Sequence, residues 1–219
     1  MRVSRRAVHP IETRSYQILR ERVDTSALPP LSRAVVERIV HTTADPTRVG
    51  EVIVDERALE LGHSALLADA PVVADVRMVA AGVTAKRCVV GLDMPGVAEL
   101  AVTEGITRSA AGVRLAAAEY PRDAVWVIGN APTALTELLA LAEAGVVVPA
   151  LVVGVPVGFV GAVEAKSALR RSGLPALSTI TERGGAAIAA AAVNALLYFE
   201  ASRMSADRVR VSRKTPEAS

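Results

Sequence analysis

The sequence predicts a single α/β domain over residues 1–200, with a mainly parallel sheet flanked by helices, and a flexible basic tail over residues 201–219. Three observations support this prediction. The chain of 219 residues is 51% hydrophobic and 22% charged, which is enough apolar material for a buried core. From residue 51 onward, short β-rich runs alternate with helical runs, as in a parallel sheet covered by helices. Residues 201–219 carry five basic side chains against two acidic ones.

Two helices are predicted before the first strand. Residues 11–23 place apolar side chains on one side of a helix, and Pro10 suits its first position because proline lacks an N–H that a helix start would leave unpaired. Residues 31–42 repeat apolar side chains at helical spacing. The pair Asp45-Pro46 ends this second helix, since the residue before a proline disfavours helical backbone.

Strands and helices are predicted to alternate along the rest of the domain. The predicted strands cover residues 51–54, 71–74, 87–92, 124–129, 150–154 and 176–180. The predicted helices cover residues 56–68, 95–104, 107–119, 132–144, 162–171 and 185–201. Asp55 is a candidate cap for the first of these helices. The run at 124–129 is almost wholly apolar, which is typical of a strand buried on both faces.

Composition argues against two classes of partner. The net charge is +2, and the basic excess falls in the predicted tail, so the folded body lacks the positive surface of a nucleic-acid-binding protein. Aromatic residues make up only 3% of the chain, too few for a base-stacking surface. No apolar run is long enough to span a bilayer, so no membrane partner is expected. The single cysteine, Cys88, is predicted to be buried and unreactive, and it fits a cytoplasmic location.

Glycine-rich loops follow three of the predicted strands. Gly129 and Asn130 follow the strand at 124–129, and similar loops lie at residues 154–161 and 181–185. Ligands bind beyond the carboxyl ends of parallel strands, where glycines let the backbone approach them, so these loops predict a pocket. Ordinary turn formation explains any one of them equally well. The spacing matches no phosphate-binding motif, so a nucleotide-dependent enzyme rests on the fold pattern alone.

His41 is the most notable titratable residue of the sequence. The three histidines, His9, His41 and His63, are not at metal-ligand spacing, and no metal site is predicted. His41 falls near the end of the second predicted helix, where the helix dipole would raise its pKa, and Arg38 and Thr42 lie close to it in the sequence. On spacing alone, a surface or capping histidine remains the simpler interpretation. His9 and His63 are predicted to face water.

Several segments in family order resemble the precorrin-8X methylmutases. The strongest are GNAPTAL at 129–135 and PVGFVGA at 156–162. Further matching segments lie at 9–12, 15–20, 31–41, 70–75, 78–84, 107–111, 183–185 and 194–196. Arg77 departs from the family pattern, in which an acidic residue is expected. Together the segments span nearly all of residues 9–197, so the resemblance is specific.

The resemblance implies an isomerase of cobalamin biosynthesis. Members of this family fold as an α/β domain, form homodimers with active sites near the interface, and convert precorrin-8X to hydrogenobyrinate by a 1,5-sigmatropic methyl shift from C-11 to C-12. No cofactor is implied, and a cobalt-precorrin-8 version exists. The catalytic histidine of the family falls on His41, and substrate-binding positions fall on Ser15, Arg38 and Arg108.

Other features remain open in this interpretation. Thr42, Gly129 and Asn130 are further candidates for substrate binding, while Val157, Phe159 and Val160 are candidates to cover the ring or to pack in a dimer. A non-catalytic corrinoid-binding carrier is the alternative function.

Overall fold

The computed structural model describes residues 9–199. The basic tail predicted at 201–219 therefore lies outside the described residues. The helices are α1 Pro10–Arg22, α2 Pro30–Thr43, α3 Glu56–Leu67, α4 Arg77–Gly82, α5 Val97–Glu104, α6 Arg108–Glu119, α7 Pro132–Glu143, α8 Ala162–Arg171 and α9 Ala186–Leu197. The strands are β1 Val52–Val54, β2 Val72–Ala74, β3 Val89–Val90, β4 Val125–Ile128, β5 Leu151–Gly154 and β6 Ala176–Thr179.

Local sequence accounts for where these helices begin. Pro10 and Pro30 occupy first turns of α1 and α2. The Asp55 carboxylate accepts the N–H of Ala58 at 2.8 Å, so the predicted cap of α3 is confirmed. The sequence analysis missed α4, a short helix of six residues. Its N-cap position makes no side-chain hydrogen bond, so the usual start signal is missing.

The six strands form one sheet in the order β1-β6-β5-β4-β2-β3. All neighbouring pairs are parallel except β1 and β6, which are antiparallel. The predicted fold class is confirmed, although the reversed direction of β1 was not predicted. The chain moves from β2 outward to β3, and from β4 outward through β5 to β6. The adjacent strands β2 and β4 therefore form the point where the winding direction changes, and ligands of such sheets bind beside that point.

Two apolar cores cover the two faces of the sheet. Val125 and Val127 of β4 face the core made with α2, α3 and α9, while Trp126 and Ile128 face the core made with α6, α7 and α8. All four side chains are buried, as predicted for this apolar run. Among the described residues, no helix is long and apolar enough to cross a membrane.

His63 was predicted to face water, but its ring is only partly exposed because α9 covers this part of α3. Nδ1 lies 3.0 Å from the carbonyl oxygen of Leu196, and the ring packs edge-on against Phe199 with centroids 5.6 Å apart. Cys88 is half-buried, and burial raises the pKa of its thiol to about 11, in agreement with the prediction that it is unreactive.

Candidate active site

The end of α2 lies at the carboxyl edge of the parallel strands. Because β1 is antiparallel to β6, Val52 at its start pairs with Thr179 at the end of β6. The turn Pro46–Gly50 joins α2 directly to this start. The last turn of α2 is therefore delivered to the edge where ligands of parallel sheets bind. His41 is in that turn, as the sequence predicted.

Two residues of α1 hold the His41 ring. The Ser15 hydroxyl lies 3.0 Å from His41 Nδ1. The Tyr16 ring stacks on the imidazole with centroids 4.7 Å apart and planes 9° from parallel. Glu12 is three and four residues before this pair, so all three side chains share one face of α1. The sequence analysis named Ser15 but missed Glu12 and Tyr16, although their helical spacing from each other was a usable signal.

Arg38 joins the same group from α2. Its Nη1 donates to Glu12 Oε1 at 2.7 Å and to the Tyr16 hydroxyl at 3.3 Å. Burial raises the pKa of Tyr16 despite these contacts with Arg38. Arg38, Ser15 and His41 are therefore brought together as the resemblance implied, and Tyr16 links the cation to the imidazole.

The pKa of His41 departs from the sequence prediction. Burial lowers it, the positive charge of Arg38 lowers it further, and the Glu12 carboxylate only partly opposes them, so it lies below its usual 6.5. The expectation of a raised pKa was wrong. The helix dipole does act at this position, but neighbouring groups from α1 and α2 outweigh it.

A buried carboxylate fixes α1 against α2. Glu37 accepts hydrogen bonds from Arg20, Arg33 and Thr25 at 2.6 to 3.1 Å. Burial acts to raise the pKa of Glu37, but these hydrogen bonds prevail and lower it. Since Ser15 and Tyr16 are on α1 and His41 is on α2, this junction sets the distances in the site.

The remaining predicted residues lie at different places. Thr42 is exposed beside His41. Arg108 is exposed at the first position of α6, and the preceding Thr107 hydroxyl contacts that of Thr133 on α7 at 2.8 Å. This contact places Arg108 near the loop that contains Asn130, which is exposed. Arg108 and Asn130 therefore belong to the edge beyond β4. Within residues 9–199, no hydrogen bond or ion pair joins them to His41.

Comparison with known proteins identifies the family to which this chain is similar. The family model described as precorrin-8X methylmutase matches residues 10–199. The cobalt-precorrin-8 methylmutase of Methanothermobacter thermautotrophicus is 42% identical over 86% of this chain and 92% of its own length. The precorrin-8X methylmutase of Pseudomonas aeruginosa is 39% identical over 85% of this chain and 93% of its own length. A solved precorrin-8X methylmutase from Thermus thermophilus superposes with a TM-score of 0.80 at 33% identity, covering 88% of this chain and 96% of that one.

This chain belongs to the precorrin-8X methylmutase family. It is therefore an isomerase of cobalamin biosynthesis. The match covers every element of the described domain, so the family assignment applies to the whole fold rather than to one motif.

Gly129 has a structural role in this family member. Gly129 is a candidate for substrate binding from the sequence, but it is buried and its N–H donates to Asp75 Oδ1 at 3.2 Å. A Cβ at this position would lie 2.8 Å from atoms of Ala189 and Val79. Glycine is therefore needed here for close packing of α4 and α9 against the end of β4.

Asp75 fixes the loop after β4, at the point between β2 and β4 where the winding direction changes. Its carboxylate follows β2 and accepts the N–H groups of Gly129, Asn130 and Ala131 at 2.8 to 3.2 Å. Burial raises the pKa of Asp75, although these hydrogen bonds act in the other direction. The N–H groups of Gly129 and Asn130, two candidates for substrate binding, thus bind a carboxylate of the protein.

We expect Asp75→Ala to lower the free energy of unfolding by about 3 kcal/mol, because it leaves three N–H groups without their acceptor. Urea denaturation followed by circular dichroism measures this. The matched control is Asp93→Ala, whose exposed carboxylate pairs with exposed Arg77 and should contribute less than about 1 kcal/mol. Equal losses in the two variants would contradict the assigned role of Asp75.

The loops after β5 and β6 are bound to each other. The Gly158 N–H donates to the Glu182 carbonyl at 3.1 Å, and the Gly185 N–H donates to the Val155 carbonyl at 2.9 Å. Directly after Gly158, the first loop projects Phe159, whose side chain is 96% exposed. Val157 and Val160 are also exposed in this loop. The chain thus presents an apolar projection at the same edge as His41.

No group of three or more metal-ligating side chains occurs among residues 9–199. Two surface hollows lie away from His41. One is lined by residues of α3 and α9 around His63, and the other lies between α3 and α8 beside β1.

Proposed function

We propose that this chain converts precorrin-8X to hydrogenobyrinate by moving a methyl group from C-11 to C-12 of the macrocycle, with His41 as the proton donor. The observation that carries the proposal is that two side chains of α1 fix the orientation of the His41 imidazole. Ser15 contacts one ring nitrogen, and Tyr16 stacks on the ring face, at the ligand-binding edge of the sheet. A histidine that only ended a helix would need neither contact.

Protonation of the substrate is the form of catalysis that suits this reaction. A 1,5-sigmatropic shift needs neither a nucleophile nor a redox agent. A proton on a ring nitrogen makes the π-system a better acceptor for the electrons of the migrating bond. General acid catalysis of this kind contributes roughly 100- to 10,000-fold.

The contact with Ser15 suits a proton donor. The imidazolium form of His41 donates its Nδ1–H to Ser15 Oγ across the 3.0 Å contact, which leaves Nε2–H for the substrate. After Nε2 has lost its proton, the bond from Nδ1–H to Ser15 is unchanged. The ring therefore transfers the proton without turning, and stacking on Tyr16 keeps its plane fixed.

Binding of the substrate would change the pKa of His41. Arg38 and Arg108 are the proposed partners of its carboxylate arms, with Thr42 and Asn130 as polar contacts and Val157, Phe159 and Val160 against the ring. Arg38 lowers the pKa of His41 in the free protein. A carboxylate bound to Arg38 would offset that charge and raise the pKa of His41 in the complex.

This gives a prediction for pH dependence. A general acid must be protonated, so activity is present at low pH and is lost as the pH rises through the pKa of His41. We expect kcat/KM, which reports the free enzyme, to fall above a pKa lower than 6.5, and kcat to fall at higher pH. Initial rates measured from about pH 5 to pH 8 test this.

Glu12→Gln provides the comparison. The Glu12 charge raises the pKa of His41, so its removal should shift the fall in kcat/KM to still lower pH. A kcat/KM that increases with pH over the same range would show that His41 acts as a base, contrary to the proposal.

The decisive experiment is a single-turnover reaction with stoichiometric protein. Metal-free and cobalt-loaded substrates are incubated side by side, and the visible spectrum reports conversion. A carrier would bind either pigment without converting it, which would overturn the proposed activity. Conversion of only one pigment identifies the natural substrate, since the names of the relatives include both.

We also propose a cytoplasmic homodimer. Phe159 and Val160 are 96% and 87% exposed, and a second copy would shield such apolar surface from water. Sedimentation of the purified chain tests this: a monomer at all concentrations would contradict it. The cytoplasmic location is supported by the single cysteine, Cys88, which fits a reducing compartment.

A further inference from the structure

A fully buried lysine lies beneath the loop that follows β6. Lys166 of α8 is 0% exposed. Its Nζ donates to Thr179 Oγ1 at 3.1 Å, to the Arg183 carbonyl at 3.1 Å, and to the Thr181 carbonyl. One side chain therefore holds three points of the segment 179–183.

These three acceptors require the ammonium form. The Thr179 hydroxyl hydrogen is directed at the Arg183 carbonyl at 3.0 Å, so Thr179 can only accept from Lys166. Three acceptors need three N–H groups, which neutral lysine lacks. Burial lowers the pKa of Lys166 to about 8, with Arg170 and Arg48 acting in the same direction and Glu182 and Glu51 opposing. The lysine is therefore still charged near neutral pH.

The segment 179–183, which binds Lys166, also contacts the end of α2. The Arg183 guanidinium pairs with Asp45, and it donates to Glu51 Oε1 at 2.8 Å. The Asp45 N–H in turn donates to the Val40 carbonyl at 3.3 Å. This last contact closes the turn of α2 that contains His41. A continuous set of polar contacts thus leads from Lys166 to the turn bearing the proposed acid.

We infer that Lys166 is a positioning residue for the methyl migration. By fixing the carbonyl groups of 179–183 it orients Arg183, which holds the last turn of α2 so that His41 meets Ser15 and Tyr16. The role in the reaction rests on the proposed function, whereas the effect on the His41 ring does not. A lysine that only stabilised the fold would leave the properties of that ring unchanged.

The test compares Lys166→Met with Lys86→Met. Lys86 is also largely shielded from water and pairs with Asp69 at 2.5 Å, but it lies beside the hollow around His63. We expect kcat of Lys166→Met to fall by about tenfold or more, with KM changed by less than about threefold, and Lys86→Met to keep both constants. Arg183→Gln should have a similar effect, and the double variant should be little worse, because both act along one path.

NMR titration of the His41 ring gives a readout that does not need activity. In Lys166→Met and Arg183→Gln, a loosened ring should show a pKa nearer 6.5 than in the unaltered protein. Thr179→Val, which removes one acceptor, should shift the pKa in the same direction and replaces Lys166→Met if that variant does not fold. A His41 pKa and kcat equal to those of Lys86→Met would overturn the inference. If the unaltered protein moves no methyl group, the proposed function fails, but the NMR result still decides the role of Lys166.

Discussion

His41→Ala is expected to lower kcat by roughly 100- to 10,000-fold, because it removes the proposed proton donor while the rest of the site stays in place. Binding should change little, since the imidazole is expected to act on the transition state rather than to hold the carboxylate arms. Single-turnover absorbance measures the rate, and titration with hydrogenobyrinate measures affinity.

His63→Ala is the control that distinguishes loss of proton transfer from loss of stability. His63→Ala removes a partly buried imidazole on α3, whose Nδ1 contacts the Leu196 carbonyl. This control should lose stability but keep kcat within about twofold once the folded fraction is equal. A rate for His41→Ala equal to that of the control would remove His41 from the mechanism.

Gly184→Ala is expected to destabilise the protein by about 3 kcal/mol. A Cβ on Gly184 would lie 2.6 Å from the Pro156 carbonyl oxygen and would also contact that of Val155. Both contacts are with backbone, which cannot rotate away as a side chain can. The loops after β5 and β6 would have to separate, so we also expect weaker activity. Chemical denaturation with a circular dichroism signal measures the loss.

The control is Gly50→Ala, at the end of the turn between α2 and β1. A Cβ on Gly50 has no atom within 4 Å, so the change should stay within about 0.5 kcal/mol. If both alanine variants were equally stable, the close approach of the two loops would not be the reason for glycine at position 184.

The elements of the fold could be predicted because their signals are local. Apolar spacing located α1 and α2, and Asp55 marked the start of α3. The apolar run of β4 predicted burial on both faces, which the two cores confirm. In α4 these signals were missing, and the helix is held instead by its packing against α9.

The geometry of the site could not be predicted in the same way. Ser15 and His41 are 26 positions apart, and Asp45 and Arg183 are 138 apart. Local spacing grouped Arg38 and Thr42 with His41, but only the family resemblance added Ser15 to that site. The expected direction of the His41 pKa shift was wrong because local sequence reveals the helix dipole but not burial or the effect of the Arg38 charge.

At glycine positions, the sequence and the tertiary structure give different information. The sequence predicted that the backbone at Gly129 and in the loop of Gly184 approaches a ligand. In the structure, the atoms that a Cβ at these two positions would meet belong to the protein itself, including Ala189 and the β5 loop. A glycine removes a side chain whatever approaches it, so its presence alone does not identify the neighbour.

The sequence by itself determined the strands, every α-helix of the described residues except α4, the apolar faces and the family, because each depends on residue order or local spacing. The tertiary structure decided the strand order, the reversal of β1, the partial burial of His63 and the pKa of His41. These depend on which distant segments come to lie side by side. The free energy of a buried charge or polar group is set by those neighbours rather than by its own segment.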